Sequence, residues 1–255
     1  MKTIMAAGGL ALALAGVMAT AAAGDLSGGA SGKISGGSVL LDAGRAAQLA
    51  RWLGAGDIRL DNIYDLKPGD TSASFHAAAD GRGATFTLLE VSNPGGQSYL
   101  VGGYDPQSWA SDGSWHETPR DWQRTAFLFN MTVPAVYRQI LSTYQLPSQG
   151  LRQTFNDIGL GPVFGSGPDL YVNDRLDGAL SWQLSYGNPS DEGISIIDRS
   201  LHGETVRLDA MEVFAISPVP EPGAAAMLLA GVGVLVACTG GRRRGRREGG
   251  PKPAA

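Results

Sequence analysis

The hydrophobic residues of the central part of the chain follow a two-residue period or form short β-branched runs, which predicts a protein built mainly of strands. The segment Asn93-Pro94-Gly95-Gly96 separates the first two runs and is typical of a hairpin turn. The predicted strands are 84–91, 97–101, 126–131, 180–186 and 206–216.

Two segments have helical rather than strand-like spacing. Apolar residues at 46, 49, 50 and 53 predict a helix over 41–53, and Gly54 is suited to end it. Pro134 fits the first turn of a second helix, which is predicted to extend to Tyr144. The expected fold class is therefore α+β: a β-rich, mostly antiparallel two-sheet sandwich with a few flanking helices, plus one C-terminal transmembrane helix.

Composition narrows the classes of function. The 255 residues are 43% hydrophobic, which suffices for one packed domain with appendages. Cys238 is the only cysteine, so an intramolecular disulfide and a cysteine-cluster metal site are excluded. Residues 25–222 contain 13 Lys and Arg against 23 Asp and Glu, a net charge of −10. This acidic body is unsuited to nucleic acid, whose phosphates require clustered positive charge.

The N-terminal segment has the pattern of a secretory signal peptide. Lys2 precedes an apolar run over 4–18, and Ala21-Ala22-Ala23 supplies the small residues of a cleavage site. The alternative is an uncleaved membrane helix, for which the apolar run is short. We predict a signal peptide over 1–23 and, because 24–37 is rich in Gly and Ser, a flexible lead-in after it.

The C-terminal segment has three parts in a fixed order. Val219-Pro220-Glu221-Pro222 is followed by an uncharged apolar run over 223–239. A core helix would have a polar face, which this run lacks, so a transmembrane helix is predicted. An arginine cluster follows and predicts that this end stays cytoplasmic while the body is exported. Its members are Arg242, Arg243, Arg244, Arg246 and Arg247, and a disordered tail is expected over 248–255.

This order of P-E-P, apolar span and arginines resembles the PEP-CTERM sorting signal of bacterial surface proteins, over residues 218–247. The resemblance implies recognition by an exosortase, a membrane protease-transpeptidase, and cleavage near the P-E-P sequence. The helix would then be a temporary inner-membrane anchor, with the body outside the cytoplasm. The expected destination is the cell surface or the extracellular polysaccharide matrix. The implied processing partners are signal peptidase and exosortase.

The body contains several motifs in a fixed order: Phe75-His76, 80–88, Gly102-Gly103-Tyr104, 126–129, 161–172 and Met211-Glu212-Val213-Phe214. Through these motifs, residues 38–217 resemble the TLDc domain. The resemblance implies one domain over this range, although Pro168 replaces a more usual polar residue and the part before Tyr64 matches weakly. Intracellular relatives in that family are linked to protection from oxidation, which does not transfer to an exported chain.

Candidate chemistry in the body is sparse. Asp169 and Glu212 are the candidate ligand-binding residues, with a structural role in a turn as the alternative for Asp169. His116-Glu117 begins like a zinc motif, but Arg120 replaces the second histidine. Two acidic groups lack the spacing of a calcium loop; they are Asp57, Asp61, Asp65 and Asp70, and Asp169, Asp174 and Asp177. The sequence therefore predicts no catalytic residue, no metal and no cofactor.

Three hypotheses for function follow. The first is a non-enzymatic binding module that acts on exopolysaccharide or envelope proteins. The alternative is an extracytoplasmic hydrolase or an oxidative-stress-protective enzyme that uses residues around Asp169, Glu212 and a histidine, with His76 and His202 as the histidines to examine. A structural surface protein is the third. The enzyme hypothesis requires a histidine within hydrogen-bond reach of a carboxylate in a cleft.

Overall fold

A computed structural model describes residues 30–142, 149–201 and 203–218. These residues form twelve strands and two α-helices, in an order that interleaves both helices with the first strands. The helices are α1 (Ala43–Leu53) and α2 (Ser72–Ala79). The strands are β1 (Gly32–Ser35), β2 (Ile58–Asp65), β3 (Thr85–Ser92), β4 (Ser98–Asp105), β5 (Ser114–Glu117), β6 (Phe127–Asn130), β7 (Ala135–Arg138), β8 (Arg152–Asn156), β9 (Val163–Phe164), β10 (Leu170–Val172), β11 (Gly178–Leu180) and β12 (Val206–Pro218).

The strands form one branched hydrogen-bonded network instead of the two separate sheets that we expected. Its main path runs β5-β8-β9-β10-β11-β12-β3-β4-β6-β7, and β2 and β1 branch from β12. The branch exists because β12 is 13 residues long. One edge of β12 pairs with β3, and the other pairs first with β11 and then with β2. All pairings are antiparallel except that of β1 with β2, so the prediction of a mostly antiparallel, β-rich fold is confirmed.

The helix predicted over 41–53 is confirmed as α1. The Asp42 side chain accepts a hydrogen bond from the Arg45 backbone N–H at its start, and Gly54 ends it with a left-handed φ of 71°. Ala46, Leu49 and Ala50 are its buried residues. They belong to an apolar cluster with Phe86, Leu88, Phe127, Phe129 and Phe214, while a second cluster collects Phe75, Trp109, Phe164, Tyr186 and Val213.

The helix predicted from Pro134 is wrong where the structure describes it. Residues 135–138 form strand β7, which pairs antiparallel with β6. Asn130 makes the tight reversal between these strands, because its side-chain oxygen accepts the Val133 backbone N–H at 2.8 Å. Residues 143–148 lie outside the described part of the chain.

Two other predictions require correction, and one helix was missed. Residues 32–35 of the expected flexible lead-in form β1, and α2 was not predicted. Of the strand predicted over 180–186, only Leu180 lies in a strand, as the last residue of β11. Beyond it, three backbone amides that would pair with a neighbouring strand instead donate to the Asp169 carboxylate.

Within the described residues, no helix is both long and apolar enough to cross a bilayer. The signal peptide at 1–23, the transmembrane helix predicted at 223–239, Cys238 and the tail at 248–255 lie outside the described part of the chain.

Candidate functional site

An open groove of about 680 Å³ lies where β4 ends and β6 begins. We call it the Trp122 groove. Its walls come from the turn before β3, the loop after β4, strand β5 and the short 3-10 turn Asp121–Gln123. Its lining residues are mainly uncharged polar or aromatic. They are Gly83, Pro106, Gln107, Ser108, His116, Trp122, Gln123 and Thr125.

Trp122 is the most exposed aromatic side chain of the described residues, with 70% of its surface accessible. It lies in the 3-10 turn, which is fixed from both sides. The Asp121 carboxylate accepts the Ser142 backbone N–H and hydroxyl, both at 2.8 Å. Arg124 is buried beneath the turn and donates to the carbonyls of Thr118 and Ile140. The backbone that presents Trp122 is therefore held in place, although its ring faces water.

The opposite wall is fixed by a buried carboxylate. Asp105 is fully buried at the end of β4, and its Oδ1 accepts the Gln107 backbone N–H at 3.0 Å and Gln153 Nε2 at 2.9 Å. Burial raises the pKa of Asp105 to about 7. Ser108 Oγ accepts the Gly83 N–H at 2.8 Å. These bonds hold the loop and leave the Gln107 side chain exposed.

His116 is the titratable residue in the wall of the Trp122 groove. The ring is half-buried, and desolvation lowers its pKa although nearby Asp112 opposes the shift. The imidazole is therefore neutral at pH 7. Its Nδ1 lies 3.3 Å from Thr154 Oγ1. Within the described chain Nε2 has no hydrogen-bond partner.

Asp169, one of the two ligand-binding candidates, lies wholly inside the protein. Its Oδ1 accepts the backbone N–H groups of Leu184, Ser185 and Tyr186 at 2.7–2.8 Å. Burial raises its pKa to about 7, and these hydrogen bonds oppose the shift. Gly165 has a φ of 71°, and a Cβ there would lie 2.0 Å from Asp169 Oδ2. The carboxylate therefore organises the segment after β11 and the turn after β9.

Glu212, the second candidate, lies on the central strand β12 and is 2% exposed. It accepts hydrogen bonds from Ser38 Oγ, from the Val39 N–H at 2.7 Å and from the Leu40 N–H at 3.4 Å. A surface cavity of about 330 Å³ is lined by Ser38, Val39 and Glu212. Glu212 thus connects the segment that leads into α1 to the middle of the sheet.

The histidine–carboxylate pair required by the enzyme hypothesis occurs once in the described residues, but in the interior. His76 Nδ1 lies 2.7 Å from Asp80 Oδ1, and Nε2 lies 2.9 Å from the Asp157 carbonyl. His76 is 2% exposed, so both ring nitrogens face oxygen acceptors of the fold and not a cleft. His202 lies outside the described residues.

The acidic residues considered for calcium make separate local contacts. Asp57 accepts from Ser31, Asp61 pairs with Arg59 at 2.8 Å, and Asp70 accepts from the Tyr64 hydroxyl. No group of three potential metal ligands occurs within 30–142, 149–201 and 203–218.

Sequence reasoning considered His116 only for a zinc motif or for catalysis, and it missed the other residues of the Trp122 groove. Trp122 lies among Arg120, Asp121 and Gln123, outside any alternating apolar run, and that polar context is the signal of an exposed tryptophan. By contrast Trp109 is 1% exposed and lies within the core, where its Nε1 donates to Thr85 Oγ1.

Comparison with known proteins identifies the C-terminal segment. Residues 218–244 match the PEP-CTERM protein-sorting motif. No curated protein matches the chain significantly. The match covers the sorting segment and not the body, so the resemblance of the body to the TLDc domain rests on its motifs alone. The motif implies export, membrane anchoring before processing, and processing by an exosortase. The chain therefore carries a PEP-CTERM sorting signal, and it is an exported protein that an exosortase sorts.

Proposed function

We propose that the protein is a non-enzymatic binding module, displayed at the cell surface or in the extracellular polysaccharide matrix after exosortase processing. The observation that carries the proposal is the position of the sorting motif. It begins at Pro218, the last residue of β12, so a folded body is joined directly to a sorting signal. The sorted cargo is then the body itself, and its function lies outside the cytoplasm.

We further propose that this body is a TLDc-like domain. The motifs behind the resemblance fall on central elements: Gly102-Gly103 lie on β4, Val163-Phe164 form β9, and Met211-Glu212 lie on β12. A Cβ at Gly102 would lie 2.0 Å from the Thr87 carbonyl oxygen, which explains the glycine. Core motifs of this kind support a shared fold and do not by themselves indicate a ligand.

A binding role is favoured over an enzymatic one by where the carboxylates lie. A general base has to reach a substrate proton. Asp169, Glu212 and the Asp80 partner of His76 are all engaged by groups of the fold. The Trp122 groove, in contrast, offers exposed neutral groups, which suit binding without bond breaking.

The first experiment tests sorting in the native host. The mature protein is fractionated and its termini are determined by mass spectrometry, for the wild type and for a variant with Arg242, Arg243, Arg244, Arg246 and Arg247 replaced by serine. We expect a new C-terminus near Glu221 in the wild type and an intact tail in the serine variant. Replacement by lysine keeps the charge and is the matched control. A wild-type protein with an intact tail, retained in the inner membrane, contradicts surface display.

The second experiment tests binding. The processed protein released by the host is incubated with isolated matrix and with isolated envelopes, and bound protein is measured against concentration. Saturable binding to either supports the proposal. Absence of saturable binding to both refutes the role of binding module.

A further inference from the structure

We propose that the Trp122 groove binds an uncharged polysaccharide chain of the extracellular matrix. The inference rests on the proposed function and deepens it, because it names the site and the class of ligand. It is carried by three features of the groove: an exposed aromatic platform, a set of neutral hydrogen-bonding groups, and an open shape.

The platform is Trp122. An indole that is 70% exposed gains free energy when an apolar surface covers it. A pyranose ring presents such a surface in the C–H groups of its face, and its hydroxyl groups lie around the edge. The Arg120 guanidinium lies 5.9 Å from the ring centroid of Trp122. This contact restricts the indole from one side and lowers the cost of ordering it on binding.

The hydrogen-bonding groups suit hydroxyls. The Gln107 amide and the Thr125 hydroxyl are exposed, and Ser108 Oγ accepts from Gly83 while its own proton remains free to donate. Gln123 uses Oε1 to accept the Arg120 N–H at 3.1 Å, which leaves its Nε2 as a donor. His116 Nε2 adds a neutral group. A few fixed polar groups beside an apolar surface are the usual composition of a small-molecule site.

Charge selects against acidic polymers. The side chains that line the Trp122 groove are uncharged at pH 7, and the body between residues 25 and 222 has a net charge of −10. A polyuronate or a phosphate-rich polymer would therefore be repelled at long range by the acidic body, and the cation beside the platform, Arg120, is already engaged with the Trp122 ring. The open volume of about 680 Å³ accepts a few sugar units and does not enclose them. An internal segment of a long neutral chain fits this shape.

The test uses the polysaccharide of the host matrix, separated on an anion exchanger into an unretained neutral fraction and a retained acidic fraction. The processed protein is run in native gels that contain either fraction, and the retardation gives an apparent Kd. Four proteins are compared: wild type, Trp122→Ala, Gln107→Ala and Trp182→Ala. Trp182 is also exposed, at 39%, but does not line the groove, so it is the matched control.

We expect retardation of the wild type and of Trp182→Ala by the neutral fraction, with an affinity loss of about tenfold or more for Trp122→Ala, as for a central tryptophan in an interface. Gln107→Ala tests the opposite wall of the groove, and its affinity for the neutral fraction should fall about threefold or more, which is the effect of losing one hydrogen bond. Unchanged circular dichroism and thermal unfolding establish that both variants are folded.

Three outcomes overturn the inference. In the first, the wild type binds only the acidic fraction. In the second, Trp122→Ala binds the neutral fraction as tightly as the wild type does. In the third, it binds envelopes but neither polysaccharide fraction, so the ligand is a protein or another envelope component. In all three cases the proposed binding role survives, and only the assignment of a neutral polysaccharide to the Trp122 groove fails. Absence of saturable binding to matrix and envelopes alike removes the proposed function as well.

Discussion

Replacement of Asp105 by asparagine tests the most deeply buried acid near the Trp122 groove. Asp105 is fully buried, and its Oδ2 has no hydrogen-bond partner within the described chain. Gln153 donates to Oδ1 from Nε2, and its own Oε1 is also buried without a partner there. Asparagine has the same shape as aspartate and keeps Oδ1 as the acceptor for Gln107 and Gln153. Its NH₂ group replaces Oδ2 with a hydrogen-bond donor, next to Gln153, whose Oε1 is an unused acceptor.

The sign of the effect follows from the pKa. Burial raises the pKa of Asp105 from 3.8 to about 7 in the folded state, so between these values the folded protein holds a proton that the unfolded chain has released. The contribution of Asp105 to stability is therefore full below pH 4, declines as the pH rises to 7, and changes no further. A pKa change of this size corresponds to about 4 kcal/mol. Asparagine does not titrate, so the variant does not lose this stability as the pH rises from 4 to 7.

The assay is urea unfolding of the processed protein between pH 4 and pH 8.5. We expect Asp105→Asn to match the wild type near pH 4 and to exceed its free energy of unfolding by up to about 4 kcal/mol at pH 8. The wild type and the variant should both retain a decline with pH, because the pKa of Asp169 is also raised to about 7. Asp112→Asn is the control, since Asp112 is exposed and its hydrogen bonds to Ser114 lower its pKa. A difference between Asp105→Asn and wild type that is constant with pH refutes the reasoning.

Three further predictions concern packing, a buried hydrogen-bond centre and the sorting signal. Gly102→Ala should lower the free energy of unfolding by about 3 kcal/mol, because the new Cβ meets the Thr87 carbonyl oxygen at 2.0 Å. Gly56→Ala, where nothing lies within 4 Å, should leave it nearly unchanged in the same urea assay. Asp169→Asn should lower the free energy of unfolding by about 1–3 kcal/mol at pH 5, because an amide NH₂ in place of Oδ2 would face the Ser185 N–H. Urea unfolding at several pH values distinguishes this loss from the gain in stability expected for Asp105→Asn. Glu221→Gln removes one charge from the sorting motif without changing its two prolines. We expect the exosortase to recognise this charge, so immunoblots of cell fractions should show unprocessed variant accumulating in the membrane. Normal processing of the variant would contradict a role of the charge in recognition.

Local signals were sufficient for part of the fold. Helix α1 was predictable because its apolar spacing, its Asp42 cap and its Gly54 stop all lie within one short segment. Strands β3 and β12 were predictable because both faces of their central residues are buried and their apolar runs are long. The PEP-CTERM signal was readable because its three parts are consecutive in the sequence.

The predictions that were wrong involve contacts distant in sequence. Segment 181–186 alternates like a strand, but Asp169 takes its backbone amides from 15 to 17 residues away. The turn at Asn130 converts a predicted helix into β7 through pairing with β6. Pairing of Gly32 with Ile58 orders a Gly/Ser-rich segment that has no strand pattern of its own. The Trp122 groove was not predictable for the same reason, since its walls come from four separate segments.

The strand register also places the groove and the sorting signal at one end of the body. Pro218 pairs with Ile58 at the end of β12, and Ala215 pairs with Thr85, which begins β3. Thr85 pairs in turn with Asp105, the last residue of β4, and the groove is built on the residues that adjoin these two strand ends. The P-E-P sequence follows Pro218 within four residues, a reach of at most about 14 Å. The groove and the start of the sorting signal therefore adjoin neighbouring strand ends of the same sheet.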